Sequence, residues 1–366
     1  MNICILGDGI TGLTLAKGLI DKNIKVFLFG QKNNKYNDLS TRTVGISKNN
    51  FDFFNTKILK LRKSFFWKID QISIFDENNK KEQIIEFKKT NRELFYIIKN
   101  DNISNLLEKK LKKSPLFKKK IIKNNFFYKK ILKEKKFDLI INCEKNNVIS
   151  ENILNKKLYK DYKSSAFTTL IKHRKEKNNI ATQIFLKDGP IAFLPISNVE
   201  TSVVYSKINS KDQFNISKLE NIIKNYNLNY KISSISNIKR FPLSMSIAKK
   251  YFEKNILAFG DNLHQIHPLA GQGFNMTLRD TRILMDIIDE NLSLGLPIDY
   301  SIFKNFEKKT KHLNFAFSKG IDIIYEIFKI NNKNKINFSS DVFKIVGRNK
   351  YLNSFFINYA DKGINI

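Results

Sequence analysis

Ile3-Cys4-Ile5-Leu6-Gly7-Asp8-Gly9-Ile10-Thr11-Gly12 decides the reading of the fold. Ile3 to Leu6 is a short apolar run stopped by Gly7, the pattern of a strand buried on both faces. Leu13, Ala16, Leu19 and Ile20 then recur at helical spacing. Asp21-Lys22-Asn23 closes that helix, and Val26 to Phe29 is a second apolar run. A GxGxxG sequence alone is a weak signal; between a strand and a helix it is specific. Gly7 permits the tight turn, Gly9 lets backbone approach a pyrophosphate, and Gly12 lets helix and strand pack closely. The helix N-terminus adds free N–H groups and the positive end of its dipole. The acid that should end the second strand is missing, and Gly30 stands in its place. The adenosine end of a dinucleotide is therefore expected to be held weakly, and Gly30→Glu to tighten it.

Outward from this unit, Phe137 to Asn142 and Asn255 to Phe259 read as further buried strands. Ile69 to Phe87 and the runs between 160 and 240 read as strands of a second sheet. Leu94 to Leu111 reads as a strand followed by a helix, Asn275 to Leu292 as a helix, and the tail from Ser301 as mainly helical. No linker separates domains, so the chain is expected to cross between them more than once. The expectation is an α/β fold. A Rossmann-like, dinucleotide-binding domain with a parallel sheet comes from residues 1–65, 95–158 and 245–300. A mixed-sheet substrate domain comes from 66–94 and 159–244, and a helical region from 301–366.

A second cluster carries more chemistry: Gly260-Asp261-Asn262-Leu263-His264-Gln265-Ile266-His267-Pro268-Leu269-Ala270-Gly271-Gln272-Gly273-Phe274-Asn275. A strand delivers Asp261 into a loop, where its carboxylate can accept bonds from ligand hydroxyls. Gly271 and Gly273 let backbone crowd a ligand, and the following helix points its N-terminus back at it.

These segments resemble the FAD-dependent aromatic-ring monooxygenases, and within them the ubiquinone-biosynthesis hydroxylases such as 2-octaprenyl-6-methoxyphenol hydroxylase. Supporting matches run along the chain: Ser40-Thr41-Arg42-Thr43-Val44-Gly45-Ile46, Gly189 to Ile196, Phe241-Pro242-Leu243 and Gly347-Arg348-Asn349. The resemblance implies FAD, with Gly7, Gly9 and Gly12 at the pyrophosphate and Arg42 near it. It puts Asp261 at the ribityl chain, and Pro268, Gly271, Gly273 and Asn275 along the flavin ring. Pro190, Phe193 and Pro195 would face flavin and substrate. It further implies NAD(P)H as electron donor, O2, a C4a-hydroperoxyflavin and a polyprenylated phenol as substrate, with no catalytic side chain and no metal. The family's Asp-Gly step after a strand is altered here to Glu144-Lys145. That departure and Gly30 motivate an alternative reading, a non-catalytic scaffold in a quinone-synthesis assembly.

Composition bounds the rest. Hydrophobic residues make up 42% and aromatic residues 12% of 366, enough to bury a large core. Cys4 and Cys143 sit in apolar runs without metal spacing, which fits a reducing compartment. The net charge of +31 comes from 57 Lys and only 8 Arg spread along the chain, with thirteen Lys between Lys109 and Lys136. Scarce Arg argues against nucleic acid. No run is long enough for a membrane span, and the N-terminus runs straight into a strand pattern without a leader-like segment. A cytoplasmic protein, peripheral on the inner face of the membrane, is expected, with other quinone-synthesis proteins as partners. The spacing Asp261, His264, His267 also resembles an iron-ligand set, which the glycine-rich loop makes the weaker reading.

Overall fold

Strands β1 (Asn2–Leu6) and β2 (Lys25–Gln31) pair in parallel, with α1 (Ile10–Ile20) crossing between them. The computed structural model describes residues 1–31, 42–77, 83–88, 93–122, 124–134, 136–208, 216–227 and 230–334. Ser40, Thr41 and Gly347-Arg348-Asn349 lie outside the described residues.

A six-stranded sheet is built around β1 in the order β16-β17-β9-β1-β2-β8. Its other strands are β8 (Phe117–Ile122), β9 (Leu139–Asn142), β16 (Phe252–Glu253) and β17 (Ile256–Ala258). All pairings are parallel except the β16–β17 hairpin. The sequence reading missed β8, because Phe117-Lys118-Lys119-Lys120-Ile121-Ile122 shows only its charge. Lysines suit an edge strand, where charge blocks pairing with another chain. Helices α3 (Asn100–Leu111), α4 (Phe126–Lys133) and α5 (Val148–Asn152) contribute Ile103, Leu107, Leu111, Tyr128, Ile131 and Ile149 to its core.

The second sheet contains β5 (Gln71–Asp76), β6 (Gln83–Lys88), β10 (Lys157–His173), β11 (Ile180–Leu186), β12 (Gly189–Pro195), β13 (Glu200–Ile208), β14 (Ile232–Ile235), β15 (Lys239–Ala248) and β18 (His264–Gln265). It is mixed: β5 pairs β11 in parallel, and the other pairings are antiparallel. One face packs Ile191, Phe193, Val203 and Tyr205 under α6 (Ile216–Tyr226). The other carries Phe185, Leu243 and Met245 against Leu269 and Tyr325. A small third sheet joins β3 (Thr43–Ser47), β7 (Phe95–Lys99) and β4 (Trp67–Ile69), and α2 (Lys48–Phe53) follows β3.

Two long helices close the molecule. α7 (Gly273–Ser293) leaves the glycine-rich loop and buries Leu278, Leu284, Ile287 and Ile288 against the parallel sheet. α8 (Ser301–Asn334) spans both cores: Phe303 and Phe306 join the parallel-sheet core, and Tyr325 joins the large-sheet core.

Candidate functional site

The first half of the site is the turn between β1 and α1. Gly7 has φ +107°, where a side chain is strained. A Cβ on Gly12 would lie 1.9 Å from the Gly7 carbonyl oxygen, so helix and turn touch backbone to backbone. Gly9 caps α1 without any side-chain bond, no acid lies in the helix's first turn, and a Cβ on Gly9 would meet nothing within 4 Å. The positive helix end thus opens onto free space, which fits a pyrophosphate.

Glu144 leans over this turn, its Cγ 3.1 Å from a Cβ built on Gly7. Tyr128 donates to its Oε2, Asn147 Nδ2 donates at 3.1 Å and Gln31 Nε2 at 3.4 Å. Burial raises the Glu144 carboxyl above its usual range, the charge of Asp8 adding to the effect against those three bonds. Lys145 does not occupy the left-handed region, so the freedom of a glycine is not needed there. Its ammonium reaches Gln265 Oε1, and Ser244 Oγ at 3.4 Å. Lys157 donates to Asn262 Oδ1 at 2.7 Å. Burial lowers both lysines; Lys145 helps push Lys157 down to about 8, while Asp261 opposes the shift of Lys145.

At Gly30 the structure shows a neighbour that bears on the expected loss. A Cβ on Gly30 would lie 2.3 Å from the Asp8 carboxyl carbon and one of its oxygens, and 2.7 Å from the other oxygen. The space a side chain would need is already filled by an acid from the turn. Gly30→Glu therefore requires the Asp8 side chain to move aside before a new bond can form. Lys119 of β8 holds Asp8 Oδ2 at 3.0 Å and Glu108 Oε2 at 3.3 Å. Burial works to lower the Lys119 ammonium, but its bonds to Asp8 and Glu108 raise it overall.

The second half is the loop from Gly260 to Gly273. Gly260 has φ +60°, and a Cβ there would lie 2.7 Å from Thr11 Cγ2, so this loop rests on the start of α1. Asp261 is exposed beside it, while Asn262 is buried and donates to the Asn142 carbonyl at 3.0 Å. Gly271 has φ +63° and abuts Gly45 of β3, and Gly273 opens α7 with nothing within 4 Å of an added Cβ. Pro268, Gly271 and Gly273 are each partly exposed. The two loops thus meet at Thr11 and Gly260, each presenting a helix N-terminus, and the exposed Asp261 follows directly on Gly260.

The residues expected to face a ligand make the following contacts within the protein. Asn275 is buried; its Oδ1 accepts from Ser47 N at 2.9 Å and its Nδ2 donates to Gly45 O at 2.9 Å. It staples β3 to α7, and its Oδ1 also accepts from Asn50 Nδ2 at 3.2 Å. Phe193 points to the α6 face, because Ser202 on the opposite face bonds Thr43 and the strand alternates. There it lines a cavity of about 320 Å³ with Asn178, Thr182 and Tyr230, away from the glycine-rich loop. Pro190 is on the loop side, paired with Phe185, whereas Pro195 shares the Phe193 side. Arg42 is exposed and lies over the Phe241 ring, 4.9 Å from its centroid.

The histidines are divided among separate surroundings. His264 Nε2 sits 2.6 Å from Asp280 Oδ2, both buried, and Asn314 of α8 donates to Asp280 at 3.2 Å. Arg279 bonds Asn314 rather than Asp280. His267 lies in an aromatic box, stacked on Tyr325 at 4.3 Å and edge-on to Tyr162 at 5.2 Å. Burial lowers it to about 3, so it is a neutral imidazole. Asp261, exposed in the loop, does not converge with these two. Sequence reasoning overlooked Asp8, Lys157 and Tyr128, and with Tyr128 the bonds that join Gln31 to Glu144. Asp8 was visible inside the glycine motif; the others come together only through the ends of β2 and β9, α4 and the start of β10.

The comparisons agree with this geometry. Residues 149–293 match a family model described as an FAD binding domain. The chain is similar to 3-demethoxyubiquinol 3-hydroxylase of Escherichia coli K12, 28% identical over 176 residues, which cover 46% of this chain and 45% of that protein. It is also 27% identical over 187 residues to the mitochondrial ubiquinone biosynthesis monooxygenase of Dictyostelium discoideum, covering 41% and 38% of the two chains. The matched stretch is thus less than half the length of these relatives. Among solved structures, p-nitrophenol 4-monooxygenase of Pseudomonas putida superposes with TM-score 0.76 at 10% identity, over 100% of this chain and 98% of that one. The HpxO protein of Klebsiella pneumoniae, solved with FAD and uric acid, gives 0.74 at 10% identity over 99% and 97%. The α/β class, the resemblance to FAD-dependent ring monooxygenases and the FAD cofactor all stand.

Proposed function

We propose that the protein is an FAD-dependent hydroxylase acting on the ring of a polyprenylated phenol in quinone synthesis, with NAD(P)H and O2 as co-substrates. The observation that carries this is the meeting of the two glycine loops. The open N-termini of α1 and α7 and the exposed carboxylate of Asp261 together suit a long dinucleotide with a charged middle and a ring at one end. When bound, FAD supplies the electron transfer and oxygen chemistry. The chain's own residues do the rest. Gly7, Gly9 and Gly12 admit the pyrophosphate to the α1 terminus. Asp261 accepts from ribityl hydroxyls. Gly271 and Gly273 bring the α7 N-terminus against the ring, where its dipole favours developing negative charge. Asn275, Asn50 and Ser47 hold β3 and α7 in register beneath that ring. Neutral His267 and the rings around it keep water from the loop's inner side.

The two departures behind the scaffold reading look different in three dimensions. Gly30 makes room for Asp8, and Lys145 sits at an ordinary backbone angle. Among the described residues no helix is long and apolar enough to cross a membrane. A prenylated substrate then calls for work at a bilayer surface, and the lysines of α3, β8 and α4 suit anionic headgroups.

The test is spectral and chemical. The purified protein should show flavin absorption near ~450 nm, a property of the cofactor. NADPH should bleach it faster with a prenylated phenol present, and the product should carry one added oxygen by mass spectrometry. Flavin bands with NADPH oxidation but no hydroxylated product from any prenylated phenol would overturn the substrate; flavin bands without NADPH oxidation would leave the scaffold.

A further inference from the structure

We propose that Asp8, a residue of the phosphate turn itself, replaces the acid missing from the end of β2 and accepts a hydrogen bond from the 2′-hydroxyl of the adenosine ribose of FAD. The inference rests on FAD being the cofactor. In a dinucleotide fold the ligand lies across the carboxyl ends of the parallel strands, and an acid at the end of the second strand takes the ribose. The three atoms nearest a Cβ on Gly30 all belong to the Asp8 carboxyl group, at 2.3, 2.3 and 2.7 Å. The carboxylate therefore stands where a side chain leaving β2 would begin. Gly30 is not in the left-handed region, so backbone conformation does not demand a glycine there; what glycine leaves open is the space that the Asp8 carboxyl occupies.

An acid so close to a pyrophosphate site needs its charge offset, and Lys119 provides this. Its ammonium sits 3.0 Å from Asp8 Oδ2 and is itself tied to Glu108 at 3.3 Å. Lys119 is the residue of β8 opposite Leu28 of β2, so sheet pairing fixes it beside the turn. The Asp8 side chain keeps 26% of its surface exposed, enough for a ligand hydroxyl to reach it. Glu144, the other acid over the turn, is committed to Tyr128 and Asn147.

The test titrates apoprotein with FAD and with its 2′-deoxyadenosine analogue, read by flavin fluorescence. Wild type should bind FAD about tenfold to a hundredfold tighter than the analogue, the range for a hydrogen bond to a charged group. Asp8→Ala should bind both equally, near the wild-type affinity for the analogue, and Asp8→Asn should show reduced discrimination. Equal binding of the two ligands by wild type would overturn the contact, and so would full discrimination retained by Asp8→Ala. The wild-type comparison needs no variant, so a folding defect in Asp8→Ala does not rescue the idea. Failure of wild type to bind FAD at all would sink the cofactor reading and this contact together.

Discussion

The turn after β1 and the loop before α7 both carry glycine motifs, but they fold by opposite means. Strand β2 lacks the motif acid at Gly30, and an acid of the β1 turn itself, Asp8, fills the space there. The α7 loop has its motif residues, and several side chains along it are tied down within the protein. Asn275 binds β3 backbone, His264 binds Asp280, and His267 is packed between two tyrosines. The β1 turn is shaped by close backbone contact; the α7 loop is shaped by buried polar bonds. A residue matching a motif can therefore be structural, and a residue breaking it can be compensated in space.

Breaking the polar scaffold of the α7 loop should have the largest effect. Asp280→Ala leaves His264 and Asn314 buried without their partner, at a cost of about 3–5 kcal/mol. Thermal unfolding of the apoprotein should fall by many degrees; an unchanged midpoint would mean the loop is not held this way. The steric scaffold of the β1 turn is tested by Gly12→Ala, which drives a methyl into the Gly7 carbonyl. A close-packed site resists such insertion by roughly 1–3 kcal/mol. The apoprotein should unfold earlier and bind FAD more weakly, and calorimetry with an FAD titration would read both.

Asp261→Ala should separate binding from stability. Its carboxylate is exposed, so apoprotein stability should stay within ~0.5 kcal/mol, as for most surface changes. FAD affinity should drop about tenfold to a hundredfold if that carboxylate accepts from the ribityl chain. Full FAD occupancy at dilute concentration would remove Asp261 from the site. The smallest effect is expected from Gly30→Glu. The new side chain contends with Asp8 for one space, so FAD affinity should not rise. A gain of tenfold or more in the same fluorescence titration would show that Asp8 swings aside and leaves its place to glutamate.

Much of the fold was legible because it rests on local pattern. Ile3 to Leu6 and Val26 to Phe29 are apolar runs around a glycine turn, and they became β1 and β2. Strand β8 was hidden because lysine marks exposure, not backbone conformation. Of the candidate site, the glycines were readable from spacing: Gly7, Gly260 and Gly271 take left-handed backbone angles and Gly12 touches the Gly7 carbonyl, while Gly9 and Gly273 face open space. The direction of Phe193 was not, because a strand's two faces are distinguished only by what packs on each.

By itself the sequence determined that a strand, a glycine turn and a helix open the chain, and that a second glycine loop precedes a long helix. Those features follow from periodicity and from backbone freedom, which act over a few residues. Only the tertiary structure decided that Asp8 occupies the space at Gly30, 22 residues away in sequence, and that Asn275 ties α7 to β3. Parallel strand pairing brings β1, β2, β8 and β9 side by side from distant parts of the chain. The acid that stands at the end of a strand is then set by which neighbour can reach that point, a matter of distance in space that spacing along the chain does not encode.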